Sequence, residues 1–163
     1  MTKEIRLTQG LVAIVDDENF EYLNQYKWFA NYNKRAKSYY ALTQVKINGK
    51  FFLKSMHRVI MNAQAGFVVD HVNHETLYNV KSNLRICTNS QNRMNSIAHR
   101  SNNTSGYKGV TKESGRWRAQ ISLESKNLHL GIFDTPEEAA HAYDEAAIKY
   151  YGEFSNLNFL IDE

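Results

Sequence analysis

The chain has 163 residues, 42% of them hydrophobic, with 20 Lys and Arg against 17 Asp and Glu and a net charge of +3. That length fits one to two small domains. No apolar run approaches a membrane span, no signal-peptide pattern opens the chain, and a lone cysteine, Cys87, leaves no disulfide partner and no Cys-rich zinc site.

Charge is distributed unevenly. Between Tyr22 and Val69 there are eight Lys or Arg and no acid; from Ala98 to Leu130 the balance is six basic to two acidic; from Gly131 to Glu163 it reverses, one to eight. Two basic regions ahead of an acidic tail point to a polyanionic partner.

Residues 1–56 read as a β-rich, basic and aromatic region. Ile5–Thr8 and Leu11–Val15 are short strand candidates around Gln9-Gly10. Asp16 to Glu21 begins a helix, with acids placed to complement its dipole. From Tyr26 to Tyr40, aromatic and basic residues interleave. Val45–Leu53 reads as a hairpin turning at Asn48-Gly49. This region suits phosphate contact with stacking, or equally a sheet with an aromatic core and lysines outside.

Residues 57–97 hold the densest chemistry. Met56–Met61 predicts a short helix, on which His57 and Arg58 are structural or phosphate-contacting. Phe67–Val69 starts a strand, Asn73–Thr76 are turn residues, and Val80–Cys87 returns as the second strand of a hairpin. Cys87 is expected in the core. Thr88-Asn89-Ser90-Gln91 has the form of a capping box and starts a helix that carries Asn92. The neutral imidazole of His71 can deprotonate a water that attacks phosphorus. Asp70 and Asn92 are hard oxygen ligands of the kind that hold Mg²⁺, with Mn²⁺ accepted as well.

The ordered set Asp70-His71, Asn83-Leu84-Arg85 and Asn92 resembles the HNH nuclease family, in particular phage-type homing endonucleases. The resemblance implies a ββα-metal module. It implies His71 as general base, Asp70 and Asn92 as metal ligands, and Asn83 as the residue that pins the loop and orients His71. Many members carry histidine where Asn92 stands, and His74 stands where Asp or Gly is commoner. Arg85, His57 and Arg58 are expected to contact DNA.

Residues 98–105 read as a polar linker between two domains. Residues 106–159 form the second. Tyr107–Val110 reads as a strand and Lys112–Gly115 as a turn. Arg116–Leu123 alternates strictly, with Trp117, Ala119, Ile121 and Leu123 on one face and Arg116, Arg118, Gln120 and Ser122 on the other. Leu128, Leu130 and Ile132 continue the apolar face on a third strand. Thr135-Pro136-Glu137-Glu138 predicts the start of a helix running to about Tyr151, with Gly152 as its stop.

This second stretch resembles the AP2 DNA-binding domain through Tyr107–Val110, Arg116–Ile121, Leu130–Thr135, Glu138–Ala140, Ala142–Asp144 and Leu157–Phe159. The resemblance implies a three-stranded antiparallel sheet lying in the major groove with one helix packed behind it. Thr111, Glu113 and His129 stand where the plant members carry Arg, Arg and Trp, so a target sequence does not transfer. Lys108, Arg116 and Arg118 are the expected contacts.

The expected fold class is α+β, an HNH module followed by an AP2-like domain. The expected function is a homing-type DNA endonuclease, a metal-binding hydrolase dependent on Mg²⁺ or Mn²⁺. It would act on double-stranded DNA as a monomer or weak dimer and nick when monomeric. Its expected location is cytoplasmic, in a phage or bacterial host cell. The competing reading is a DNA-binding transcriptional regulator with a vestigial nuclease module. A third is an RNA-binding module using the N-terminal region.

Overall fold

The computed structural model describes residues 1–97, 103–124 and 126–159. Residues 98–102 of the expected linker lie outside the described residues. The chain divides into two compact units, Met1–Asn89 and Ser90–Glu163.

In the first unit, β1 (Thr2–Arg6) and β2 (Val12–Asp16) form an antiparallel hairpin. Gln9 and Gly10, with φ of 63° and 72°, reverse the chain between them. Asp16 precedes α1 (Asp17–Leu23), whose first turn holds Asp17 and Glu18. Strands β3 (Trp28–Asn33), β4 (Ser38–Ile47) and β5 (Lys50–Ser55) make an antiparallel sheet in that order. Asn48 and Gly49 both adopt positive φ, as the tight turn opposing Ile47 and Lys50 requires. Helix α2 (Met56–Met61) follows directly. The core gathers Ile5, Ala13, Val15, Leu23, Trp28, Ala30, Ala41 and Met56. The indole of Trp28 is satisfied within it, since its Nε1 donates to the carbonyl of Leu23 at 2.7 Å.

Strand β6 (Val68–His71) pairs antiparallel with β8 (Leu84–Cys87), setting Asp70 opposite Arg85 and His71 opposite Leu84. Between them, β7 (Tyr78–Asn79) adds in parallel to β2. Residues on both sides of position 57 therefore share one sheet. Cys87 is buried. Helix α3 (Asn89–Met94) follows. Apart from Asn89 it falls in the C-terminal unit, where Met94 packs beside Ile121, Tyr143 and Ala147. A single ββα nuclease module is not shown.

The second unit is a meander and a helix. Strands β9 (Val110–Glu113), β10 (Arg116–Leu123) and β11 (Lys126–Phe133) form an antiparallel sheet with β10 central. Strand β9 starts three residues later than the sequence suggests. Gly109 has a φ of 77°, so Tyr107-Lys108-Gly109 turns rather than extends. Helix α4 (Pro136–Tyr151) opens with the complete capping box of Thr135 and Glu138 and ends at Gly152. Its alanines 139, 140, 146 and 147 are buried against Val110, Ala119 and Ile121. Small side chains let the helix lie close to the sheet, while Tyr143 and Tyr151 fill the wider gaps.

The segment after α4 is held by one carboxylate. Asp144 is only 7% exposed. It accepts from Asn158 N (2.9 Å), Asn158 Nδ2 (3.0 Å) and Phe159 N (3.0 Å). Asn158 in turn clasps the backbone of Lys108, accepting its N–H and donating to its carbonyl. Asp144→Ala should therefore cost about 2–4 kcal/mol, because several buried donors lose a charged acceptor together. Urea titration of the full chain measures it. A loss under about 0.5 kcal/mol, the level of an ordinary surface change, would mean that the clasp carries no stability.

Candidate nucleic-acid interface

Two places gather the residues expected to act. The first lies on β6 and β8. Asp70 and His71 are both buried. Arg85, opposite Asp70, donates from Nε (3.0 Å) and Nη2 (2.8 Å) to the same oxygen, Oδ2. This near-buried pair occupies the carboxylate expected to hold a metal, and removing either partner would strand a charge. His71 Nε2 donates to Asn79 Oδ1 at 3.1 Å. Its ring lies 5.1 Å from that of His57 and 6.2 Å from that of Tyr40. Burial draws His57 down to about 3, and the charges of His71 and Arg58 act in the same direction. Burial also lowers His71, reinforced by His74 and opposed by the Asn79 hydrogen bond and Asp70. Both imidazoles are neutral at pH 7.

Asn83 spans the loop between the strands, accepting from Asn73 N (3.0 Å) and donating to Tyr78 O (2.8 Å). Arg58 turns to the backbone, reaching Phe67 O (2.7 Å), Ala63 O (3.0 Å) and Gln64 O (3.2 Å). Asn92 belongs to the C-terminal unit and Asp70 to the N-terminal one. The sequence carried no signal for Arg58 as a loop fastener. For the Arg85–Asp70 pair, the hairpin register was the usable signal.

The second place is the outer face of the C-terminal sheet. Trp117, Ala119 and Ile121 point to α4. Strand alternation then puts Arg116, Arg118, Gln120 and Ser122 on the opposite face. The register adds Thr111 and Glu113 from β9, and Asn127, His129 and Ile132 from β11. A bulge between Ala119 and Gln120 leaves Leu130 as the extra residue of β11, and it packs into the core. Arg116 reaches Asp134 from Nε at 2.8 Å, and both side chains are more than half exposed. Arg118 Nη2 donates to Glu113 Oε1. Lys108, expected beside these arginines, is turned inward. Its Nζ donates to the carbonyl of Met94 at the end of α3, and burial lowers its amine to about 8 despite the Asp144 carboxylate. Of the residues expected to touch DNA, Arg116 and Arg118 stand on this open face. Arg58, Arg85 and Lys108 direct donors into the protein.

Residues 105–153 match the family model described as the AP2 domain. Among similar proteins, the AP2-like ethylene-responsive transcription factor TOE2 of Arabidopsis thaliana is 44% identical over 62 residues, 37% of this chain and 13% of that protein. The AP2-like ethylene-responsive transcription factor CRL5 of Oryza sativa subsp. japonica is 46% identical over 74 residues, 39% of this chain and 12% of that protein. The AP2-like ethylene-responsive transcription factor PLT2 of Arabidopsis thaliana is 48% identical over 66 residues, with 38% and 12% covered. The chain thus spans 12% to 13% of the length of these relatives.

These findings correct the sequence reading. The C-terminal unit carries an AP2 domain, as expected. The homing-endonuclease function, the hydrolase activity and the requirement for Mg²⁺ or Mn²⁺ are overturned, because the matched relatives are transcription factors. The donor set does not fit a metal either: Asp70 is engaged by Arg85, and no described group of three or more His, Cys, Asp or Glu is placed to hold an ion. A phage or bacterial host is unsupported, since these relatives come from plants. Among the described residues, no helix is long and apolar enough to cross a membrane.

Proposed function

We propose that the chain is a DNA-binding protein acting in transcriptional regulation, and that the outer face of β9–β11 is laid in the major groove of duplex DNA. One observation carries this reading. The sheet turns its apolar face to α4 and presents Arg116, Arg118, Gln120 and Ser122 as an unbroken polar row on the other. B-DNA's major groove admits a β-ribbon and offers both phosphates and base edges to such a row. The relatives' names support it, since each is a transcription factor described as AP2-like, and residues 105–153 match the AP2 domain. Three acids of α4, Glu137, Glu138 and Glu145, belong to the helix that packs behind the sheet.

The roles follow from chemistry. Arg116, more than half exposed beside Asp134, contacts phosphate and fixes register. Arg118, Gln120 and His129 face base edges. The half-buried His57, Arg58 and Arg85 support the N-terminal unit rather than the interface.

Anisotropy of a labelled mixed-sequence duplex, titrated with the full chain at several salt concentrations, tests the reading. Binding should weaken with salt in proportion to the phosphates neutralised. Arg116→Ala should lower affinity about equally across sequences and reduce the salt slope by roughly one. Double-stranded RNA should compete poorly, because its major groove is closed to a sheet. Absence of duplex binding at low salt, or RNA that competes better than DNA, would overturn it.

A further inference from the structure

Arg118 is paired with Glu113. The pair lies diagonally across β9 and β10 on the outer face, where Glu113 opposes Arg116 and Arg118 opposes Thr111. The side chains are 39% and 36% exposed. Yet Arg118 Nε and Glu113 Oε2 are both shielded from solvent, with no hydrogen-bond partner among the described residues. An ion pair kept for stability alone gains little at such exposure and gains nothing from stranding two polar atoms. A carboxylate on this face also repels phosphate and so works against non-specific DNA affinity. What the arrangement does achieve is orientation. With Nε shielded from solvent and Nη2 tied to Glu113, the guanidinium is held in one plane, and its terminal end is fixed relative to the sheet.

We propose that Glu113 is a positioning residue that makes Arg118 a reader of guanine. The inference rests on the DNA-binding reading above. Guanine is the base whose major-groove edge offers two adjacent acceptors, O6 and N7, and a planar guanidinium matches that pair with two donors. An arginine left to rotate reaches phosphates as readily as bases, whereas one held by a carboxylate is prepaid in orientation and discriminates. Glu113 also disfavours the alternative of Arg118 swinging to the backbone, because that would bring the carboxylate beside a phosphate.

Selection of bound duplexes from a library randomised at every position, using the full chain, tests this. The parent should enrich a site with guanine at one position. Arg118→Ala and Glu113→Ala should both lose that preference, with discrimination falling about tenfold. Loss of Glu113 should leave total affinity for mixed-sequence duplex unchanged or raised. The double variant should be no worse at that position than either single one, since the two act as a unit. Glu113→Gln, which keeps the shape and one hydrogen bond, should restore part of the preference. Thermal unfolding of each variant separates these effects from folding. A Glu113→Ala chain that keeps the parent's preference everywhere would overturn the inference, as would effects of the two substitutions at different positions. A parent that binds duplex but enriches no base overturns the inference and leaves the DNA-binding reading standing; a parent that binds no duplex overturns both.

Discussion

Gly109→Ala is expected to unfold the C-terminal unit. A Cβ at that position would fall 1.9 Å from Tyr143 Cδ2 and 2.8 Å from the carbonyl of Gln120. Neither neighbour can give way. Tyr143 is buried between α4 and the sheet, and Gln120 is fixed by its own N–H donating to Gly109 O at 2.9 Å. The φ of 77° adds the strain of a left-handed residue. Together these exceed about 4 kcal/mol, the range of severe overpacking compounded by backbone strain. Gly115 is the comparison: its φ is 86°, but nothing lies within 4 Å of the added carbon. Gly115→Ala should cost only about 1 kcal/mol. The two tryptophans separate the units, Trp28 in one and Trp117 in the other. Urea titration in a Trp28→Phe background therefore follows the second unit by fluorescence. A Gly109→Ala protein as stable as Gly115→Ala would show that Tyr143 can move aside.

The N-terminal unit is expected to fail in acid well above the carboxylate range. His57 ionises near 3 in the folded protein and near 6.5 when unfolded. A base whose folded pKa is depressed binds fewer protons in the native state than in the unfolded one throughout that interval. Stability is then fully present above about pH 6.5 and falls as the pH drops toward 3. Between pH 7 and pH 4 the loss from His57 is about 3 kcal/mol, and the lowered pKa of His71 adds to it with the same sign. His57→Phe keeps a ring beside Tyr40 and His71 while removing the titrating group. It should flatten the profile over this interval, read from denaturant midpoints in a Trp117→Phe background. A variant whose stability falls with pH as steeply as the parent's would place the acid sensitivity elsewhere.

What was legible in the sequence was local. Asn48-Gly49 specifies a two-residue turn by needing two positive φ values, and the hairpin is there. Thr135 and Glu138 start α4 because each satisfies the other's orphan donor within three residues. Strict alternation in Arg116–Leu123 fixes which face of β10 meets the helix, and so places Arg116 and Arg118 on the open one. What was not legible depends on partners far along the chain. Asp144 reads as one more acid on an acidic helix until Asn158 and Phe159 are seen to converge on it. Lys108 reads as a surface cation of a strand, but the turn at Gly109 carries it inward to the end of α3. The nuclease function and the metal read from Asp70, His71, Asn83 and Asn92 failed for a related reason: spacing in sequence says nothing of Arg85 closing on the carboxylate of Asp70, or of Met94 packing beside Ile121 and Tyr143.

The pairing of β2 with β7 has a kinetic consequence. It joins Ile14 to Tyr78 and Val15 to Asn79, across more than sixty residues that must be gathered before the sheet can close. In the C-terminal unit each strand of the meander pairs with its neighbour in the chain, and the helix follows at once. Loop closure is slower and more costly for distant partners. The C-terminal unit is therefore the one that folds first, and refolding should show two phases, the slower one reported by Trp28.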